Sequence, residues 1–230
     1  MKIIVFDAGP IISLTTNNLL GLLTSLKEKY KGSFYLSEGI KRELIEIPLS
    51  TKKFKFEALQ VLRSINFHVL EVYNNEEMRK KAIHLLDTAN KCFMAKGNYM
   101  QIVHFAEMSG LATVLINNAE AFVVDERSTR LLIEDPDRLR SILEDRLHTK
   151  IIVNKNKLNE FRNMCKGVKL IRSVELVTIA YELGLLDKYI VNIPEPRRTL
   201  LEAVLWGVKL NGCTVSEREI EDIIKIELKK

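Results

Sequence analysis

The N-terminal stretch MKIIVFDAGPIISL (residues 1–14) passes from four apolar residues, Ile3 to Phe6, directly to a carboxylate, Asp7. A continuous apolar run bounded by turn residues is typical of a strand that helices cover on both faces, because neither face needs polar side chains. Asp7 is then expected at the carboxyl end of a strand, where ligands bind in open α/β sheets. The alternative is that Asp7 only caps the helix that begins near Pro10.

The composition is that of an ordinary soluble globular protein. Of the 230 residues, 47% are hydrophobic and 28% are charged, so we expect a substantial core and no extended disorder. No apolar stretch approaches the roughly 20 residues that cross a bilayer, and no secretory leader is recognisable, so we expect a cytoplasmic protein without membrane contact. Three widely spaced cysteines indicate neither a disulfide framework nor a cysteine metal site. The net charge of +5 permits a polyanionic partner without requiring one.

Strand-like and helix-like segments alternate along the chain. Short apolar or alternating runs predict strands over 3–6, 33–37, 67–73 and 121–124. Helical spacing of apolar residues, with capping residues and proline or glycine at the ends, predicts helices over 11–27, 38–47, 54–65, 75–93 and 99–108. This order requires crossover connections, so the sequence predicts an α/β fold with a mostly parallel sheet.

Acidic residues follow two of the predicted strands and lie on the helix after a third. They are Asp7, Glu43, Asp125 and Glu126. Because parallel strands end at one edge of a sheet, we expect these carboxylates to lie near one another. Clustered carboxylates repel unless a hard cation neutralises them, so Mg²⁺ or Mn²⁺ is the expected metal, and such sites hydrolyse phosphodiesters. Each acid also has a structural interpretation, because acids are common on exposed helix faces and at helix starts.

Four segments, in the same order and spacing, resemble the PIN domain family of metal-dependent ribonucleases. They are DAGPIISL (7–14), SEGIKREL (37–44), GNYMQIVHFAEMSG (97–110) and VVDERSTRLL (123–132). A later stretch, VKLIRSVELVTIAYELGLL (168–186), is similar to the closing strand and helix of the family. The resemblance implies a three-layer α/β/α sandwich around a sheet of about five strands, with an acidic pocket at its carboxyl edge. It also implies Mg²⁺- or Mn²⁺-dependent hydrolysis of RNA, as in the toxin of a toxin–antitoxin pair.

The resemblance assigns roles to five positions. Asp7, Glu43 and Asp125 match the first, second and fourth catalytic, metal-binding acids of the family, with Glu126 as a helper beside the last. The third acid of the family opens a helix, and Asn98 stands in its place. Asparagine keeps a carbonyl oxygen but lacks the negative charge, so Asn98 would be a weak metal ligand.

Two alternatives to an active nuclease are open. Asn98 favours a catalytically weakened PIN-like scaffold that binds RNA or a protein. A phosphatase of the haloacid dehalogenase type also places an aspartate at a strand end. That class needs a second aspartate two positions later, where this chain has Gly9.

The chain is expected to comprise one domain and an extension. Residues 1–190 are predicted to form the PIN-like domain, with an insertion at about 134–167, and residues 191–230 a helical C-terminal extension. Its two amphipathic helices are too small to form a core alone, so we expect them to pack on the domain or on a second copy, as in a homodimer. The expected partners are RNA and an antitoxin or another protein.

Overall fold

The computed structural model describes residues 2–229 and is built around a five-stranded parallel sheet. The strands of the chain are β1 (Ile3–Phe6), β2 (Ser33–Ser37), β3 (Glu71–Tyr73), β4 (Phe93–Ala95), β5 (Asn98–Tyr99), β6 (Ala121–Val123), β7 (Ile151–Val153) and β8 (Leu170–Ile171). The parallel sheet has the order β3-β2-β1-β6-β8, with β1 at its centre. The predicted α/β class and parallel sheet are confirmed.

Helices cover both faces of this sheet. They are α1 (Ala8–Thr16), α2 (Leu22–Tyr30), α3 (Glu38–Lys41), α4 (Ile47–Ser50), α5 (Lys55–Asn66), α6 (Glu76–Ala89), α7 (Phe105–Asn117), α8 (Arg127–Glu134), α9 (Pro136–Leu147), α10 (Lys155–Met164), α11 (Ser173–Glu182), α12 (Pro196–Leu210) and α13 (Glu217–Glu227). A π-turn, Arg42–Glu46, joins α3 to α4. Across residues 2–229, no helix has the length and apolar character needed to span a membrane.

The sheet separates two buried cores, which explains the purely apolar sequence of β1. Successive side chains of a strand point to opposite faces. Val5 packs in one core with Leu111 of α7, whereas Phe6 packs in the other with Leu14 of α1. Both faces of β1 are therefore buried, and the first polar side chain, Asp7, lies just after the strand ends.

Two predicted helices differ from the structure. The helix predicted over 11–27 is divided into α1 and α2, because Asn18 adopts a left-handed backbone conformation (φ 57°), which asparagine tolerates better than most residues. The helix predicted over 99–108 is wrong. Gly97 (φ 81°) instead closes a hairpin between β4 and β5, and the helix begins only at Phe105.

The insertion and the C-terminal extension both pack on the same chain. Within the insertion, β7 pairs antiparallel with β4, which gives a second sheet of order β5-β4-β7. In the extension, Leu201 of α12 and Ile220 of α13 share a buried core with Leu14 and with Val177 of α11. The extension therefore completes the core on one face of the parallel sheet.

Candidate metal centre

Two buried aspartates lie at the carboxyl edge of the parallel sheet. β1 and β6 are neighbours with Phe6 opposite Val123, so the two strands end at the same level. Asp7 follows β1 directly, and its N–H donates to the carbonyl oxygen of Val123 at 2.9 Å. Asp125 follows β6 after one further apolar residue. The side chains of Asp7 and Asp125 are only 5% and 2% exposed.

Gly9, in the first turn of α1, lies between these two aspartates. A Cβ atom added to Gly9 would lie 3.5 Å from Cβ of Asp125 and 3.9 Å from Oδ2 of Asp7. The missing side chain therefore leaves open the space that separates the two aspartates.

Asp7 has the strongest electrostatic perturbation of the cluster. Its pKa is raised to about 8, first by burial and then by the charges of Glu107 and Glu43, although the N–H groups of Ala8 and Gly9 oppose the shift. Since Asp7 is close enough to both glutamates for their charges to act on it, these three acids share one environment. A cation bound there would compete with a proton for Asp7, because the raised pKa favours the protonated acid.

Asp125 has one oxygen engaged and one without a partner. The N–H of Ser173, in the first turn of α11, donates to Oδ1 of Asp125 at 2.7 Å. Oδ2 is buried and accepts no hydrogen bond from residues 2–229. Burial raises the pKa of Asp125, and the N–H of Ser173, the Ser173 hydroxyl and the Cys213 thiol beside it partly oppose that shift. A buried carboxylate oxygen without a donor is rare in folded proteins and is suited to an ion or a water molecule.

Glu107 is the acid that the sequence analysis missed. It lies in the first turn of α7, where its Oε2 accepts hydrogen bonds from the Thr129 hydroxyl at 2.9 Å and the His104 N–H at 3.1 Å. Burial raises the pKa of Glu107. Of the neighbouring charges that raise the pKa of Asp7, the charge of Glu107 has the largest effect. The spacing of His104 and Glu107, the N-cap and N3 positions of a capping box, was the available sequence signal.

Glu43 lies in the π-turn between α3 and α4. It is more exposed than Asp7, Glu107 and Asp125, and partial burial raises its pKa. Single π-turns inside helices occur frequently at functional sites. Glu43 also lines two clefts, one of about 390 Å³ and one of about 80 Å³.

Glu126 lies near the acid cluster at the start of α8, whereas Asn98 lies in the β4–β5 hairpin. Glu126 is the exposed N-cap of α8, its side chain accepts the Ser128 N–H at 3.2 Å, and its charge raises the pKa of Glu107. Asn98 is exposed in β5, and its amide donates to the Lys96 carbonyl at 3.4 Å. The expectation that Asn98 opens a helix is therefore wrong, since the next helix begins at Phe105, and its role as a weak metal ligand stays a prediction.

The donor chemistry of this cluster fits a hard divalent cation. Asp7, Glu43, Glu107 and Asp125 offer carboxylate oxygens, and none of the ion pairs within residues 2–229 involves them. The side chains do not form a closed ligand set, since no three His, Cys, Asp or Glu residues in the described part of the chain are arranged to hold an ion. Oxygen-only, flexible acidic sites are the kind that Mg²⁺ and Mn²⁺ use.

The arrangement combines carboxylates whose pKa values are raised by burial with an open space between Asp7 and Asp125. Carboxylates of this kind are the ligands with which proteins bind divalent cations that hydrolyse phosphodiesters. No family model matches the chain, and no curated protein or solved structure matches it.

Proposed function

We propose that this chain is a Mg²⁺- or Mn²⁺-dependent ribonuclease of the PIN type. The observation that carries the proposal is the meeting of two buried, unpaired aspartates, Asp7 and Asp125, at the ends of neighbouring parallel strands. Burying an uncompensated charge costs on the order of several kcal/mol, so such a pair is expected where a bound cation repays that cost. Raised pKa values of clustered acids at a sheet edge are also typical of functional sites.

The chain's own residues prepare the site for a cation. Hydrogen bonds from Thr129 and from the His104 N–H hold Glu107 toward Asp7, and the Ser173 N–H fixes Asp125 with its second oxygen free. Asp7 gives up its proton when positive charge arrives, which couples binding to pH. A divalent cation at this position would activate a water molecule and stabilise the departing oxygen of the phosphodiester.

The scaffold alternative loses the feature that favoured it. It depended on Asn98 replacing an acid, but Asn98 lies in β5 and Glu107 supplies a carboxylate next to Asp7. An antitoxin, another protein or a second copy of the chain as partner stays a prediction.

The proposal is tested by cleavage of a fluorescence-quenched single-stranded RNA in Mn²⁺. We expect cleavage that leaves 5′-phosphate ends, stops in EDTA, and falls by about a thousandfold or more in Asp7→Asn, the scale seen when a central catalytic group is removed. Asp145→Asn is the matched control, because Asp145 is an exposed acid on α9. Cleavage that persists in Asp7→Asn, or that falls equally in both variants, would contradict the proposed site.

A further inference from the structure

A turn rich in lysine and phenylalanine follows α4. The segment TKKFKF (51–56) comprises this turn and the first two residues of α5, and all six residues are exposed. The hydroxyl of Thr51 lies 3.1 Å from the carbonyl oxygens of Pro48 and Lys53 and can donate to either, and Phe54 adopts a left-handed conformation (φ 62°) as the N-cap of α5. The turn is therefore held in one shape while its charged and aromatic groups face solvent. We call residues 52–56 the basic rim.

The basic rim lies beside the acid cluster. Phe54 lines the cleft of about 80 Å³ that Glu43 also lines. On its other side, Glu43 lines the cleft of about 390 Å³ together with Arg42, Arg79 and Phe105. Glu43 thus lies between two clefts, one lined also by Phe54 and the other by Phe105.

Charge is distributed in a way that suits a polyanionic strand. The carboxylates around Asp7 repel a phosphate backbone, so a strand that reaches them needs cations on either side. Lys52, Lys53 and Lys55 lie beside Phe54 on the basic rim, and Arg42 and Arg79 line the larger cleft. Glu38 and Glu46 also line that cleft, but Lys41 pairs with both at 3.1 and 3.4 Å.

The aromatic groups of the rim are presented for stacking. Phe56 is 70% exposed and Phe54 is 44% exposed, although both are large apolar side chains. The ammonium group of Lys53 lies 4.6 Å from the centroid of the Phe54 ring. Lysines beside exposed rings are the groups that bind the phosphates and bases of a single strand, whereas a protein-docking surface is more often a continuous apolar patch.

We propose that the basic rim binds single-stranded nucleic acid, with its lysines on the phosphates and Phe56 stacked on a base. The bound strand continues past Glu43 into the cleft that contains Arg42 and Arg79. This inference rests on the proposed nuclease function, since it gives the path by which a substrate strand reaches the acids.

Binding of a short fluorescein-labelled oligouridine is measured by fluorescence anisotropy in EDTA, so that no cleavage occurs. Replacing Lys52, Lys53 and Lys55 together by Gln is expected to weaken binding and to reduce the slope of log affinity against log salt by about 2, because each phosphate contact contributes about 0.7 for single strands. The matched control replaces three exposed cations near the end of α10, Arg162, Lys166 and Lys169, by Gln. Equal slopes for the two triple variants would overturn the proposal.

The stacking role is tested with two phenylalanines of equal exposure. Phe56 and Phe67 are 70% and 69% exposed and lie near opposite ends of α5, separated by roughly 16 Å along the helix axis. Phe56→Ala is expected to weaken oligouridine binding about tenfold and Phe67→Ala to leave it unchanged. Wild-type affinity in Phe56→Ala overturns the assignment, and so does a loss that is equal in both variants.

Cleavage in Mn²⁺ separates this inference from the nuclease proposal. If the oligonucleotide binds at the rim in EDTA but wild-type protein cleaves no RNA, the rim assignment stands and the nuclease proposal fails. If wild-type protein cleaves RNA and the rim variants retain its kcat/KM, the nuclease proposal stands and the rim assignment fails. The rim assignment would also be overturned if an acidic protein bound the wild type, bound the triple lysine variant more weakly, and did not compete with the oligonucleotide. That result would indicate that the rim is a protein-docking surface.

Discussion

The pKa values of carboxylates at the edge of the five-stranded sheet are raised, whereas the pKa of a carboxylate beside the three-stranded sheet is lowered. Burial raises the pKa of Asp7 and of Asp125. Near β7, Glu144 accepts the Ile151 N–H at 2.9 Å and pairs with Arg140 at 3.2 Å. These contacts lower the pKa of Glu144, the backbone hydrogen bond being the larger cause.

This difference distinguishes a carboxylate whose charge is stabilised by neighbouring donors from a carboxylate that has no neighbouring cation. The negative charge of Glu144 already has its donors, so it supports the packing of α9 against β7. The charge of Asp7 has no cation among residues 2–229 and is opposed by Glu43 and Glu107. The large sheet therefore keeps an unfavourable cluster at the edge where parallel sheets bind ligands.

The largest expected difference between the two carboxylates is in the melting temperature measured without metal. At pH 8, Asp7→Asn is expected to raise the melting temperature by about 5 °C, the response of a chain of this size to roughly 2 kcal/mol, because a neutral amide avoids burying the charge. Glu144→Gln is expected to lower the melting temperature, because it removes a charge that Arg140 and the Ile151 N–H stabilise. Differential scanning calorimetry in EDTA gives both values.

The pH dependence of these two variants has opposite signs. The folded pKa of Asp7 lies above its unfolded value, so wild-type stability falls as pH rises from about 4 to about 8, and the advantage of Asp7→Asn grows over that interval. The folded pKa of Glu144 lies below its unfolded value, so its contribution is present above the unfolded pKa and is lost in acid. A constant difference between wild type and Asp7→Asn from pH 4 to pH 8 would show that Asp7 is not buried as an acid.

The position of the first and last acids could be predicted from the sequence, because the evidence is local. Apolar runs of three or four residues that end on an acid predicted β1 and β6 and the aspartates that follow them, and both strands form where expected. Parallel pairing then brings Asp7 and Asp125 to the same edge, since Phe6 lies opposite Val123.

The third acid could not be placed because its helix is delayed by a distant side chain. Asn90 accepts the N–H groups of Ile102 and Val103 at 2.8 and 3.1 Å and donates to the Val103 carbonyl at 3.1 Å. These contacts keep the chain extended until α7 begins at Phe105. The pairing of β4 with β7, some 60 residues later, also fixes the hairpin that contains Asn98. Neither contact can be read from local spacing.

A third prediction compares Glu107, which the sequence did not indicate, with Asn98, which the resemblance had placed among the ligands. Glu107→Gln is expected to weaken Mn²⁺ binding about tenfold, since the amide keeps an oxygen for Thr129 but loses the charge beside Asp7. Asn98→Asp is expected to leave the Mn²⁺ affinity unchanged, because Asn98 is exposed in β5. Isothermal titration calorimetry measures both affinities.

The opposite result would reverse the comparison between the two sheets. Tighter Mn²⁺ binding by Asn98→Asp, together with wild-type affinity in Glu107→Gln, would mean that the hairpin supplies the ligand and that Glu107 serves only to begin α7.

The smallest expected effect concerns the space between the two aspartates. In Gly9→Ala, the added methyl group meets Cβ of Asp125 at 3.5 Å and Oδ2 of Asp7 at 3.9 Å, which are ordinary van der Waals contacts. Because alanine favours the helix, we expect the melting temperature to rise by about 1–4 °C, while Mn²⁺ affinity falls by about threefold as the methyl group narrows the site. Gly21→Ala is the control, since Gly21 is the N-cap of α2 with a helical backbone conformation and a Cβ added there meets nothing within 4 Å. If both variants gain stability and only Gly9→Ala loses Mn²⁺ affinity, the space between Asp7 and Asp125 is where the cation binds. If Gly9→Ala retains full affinity, the cation binds farther out, toward Glu43.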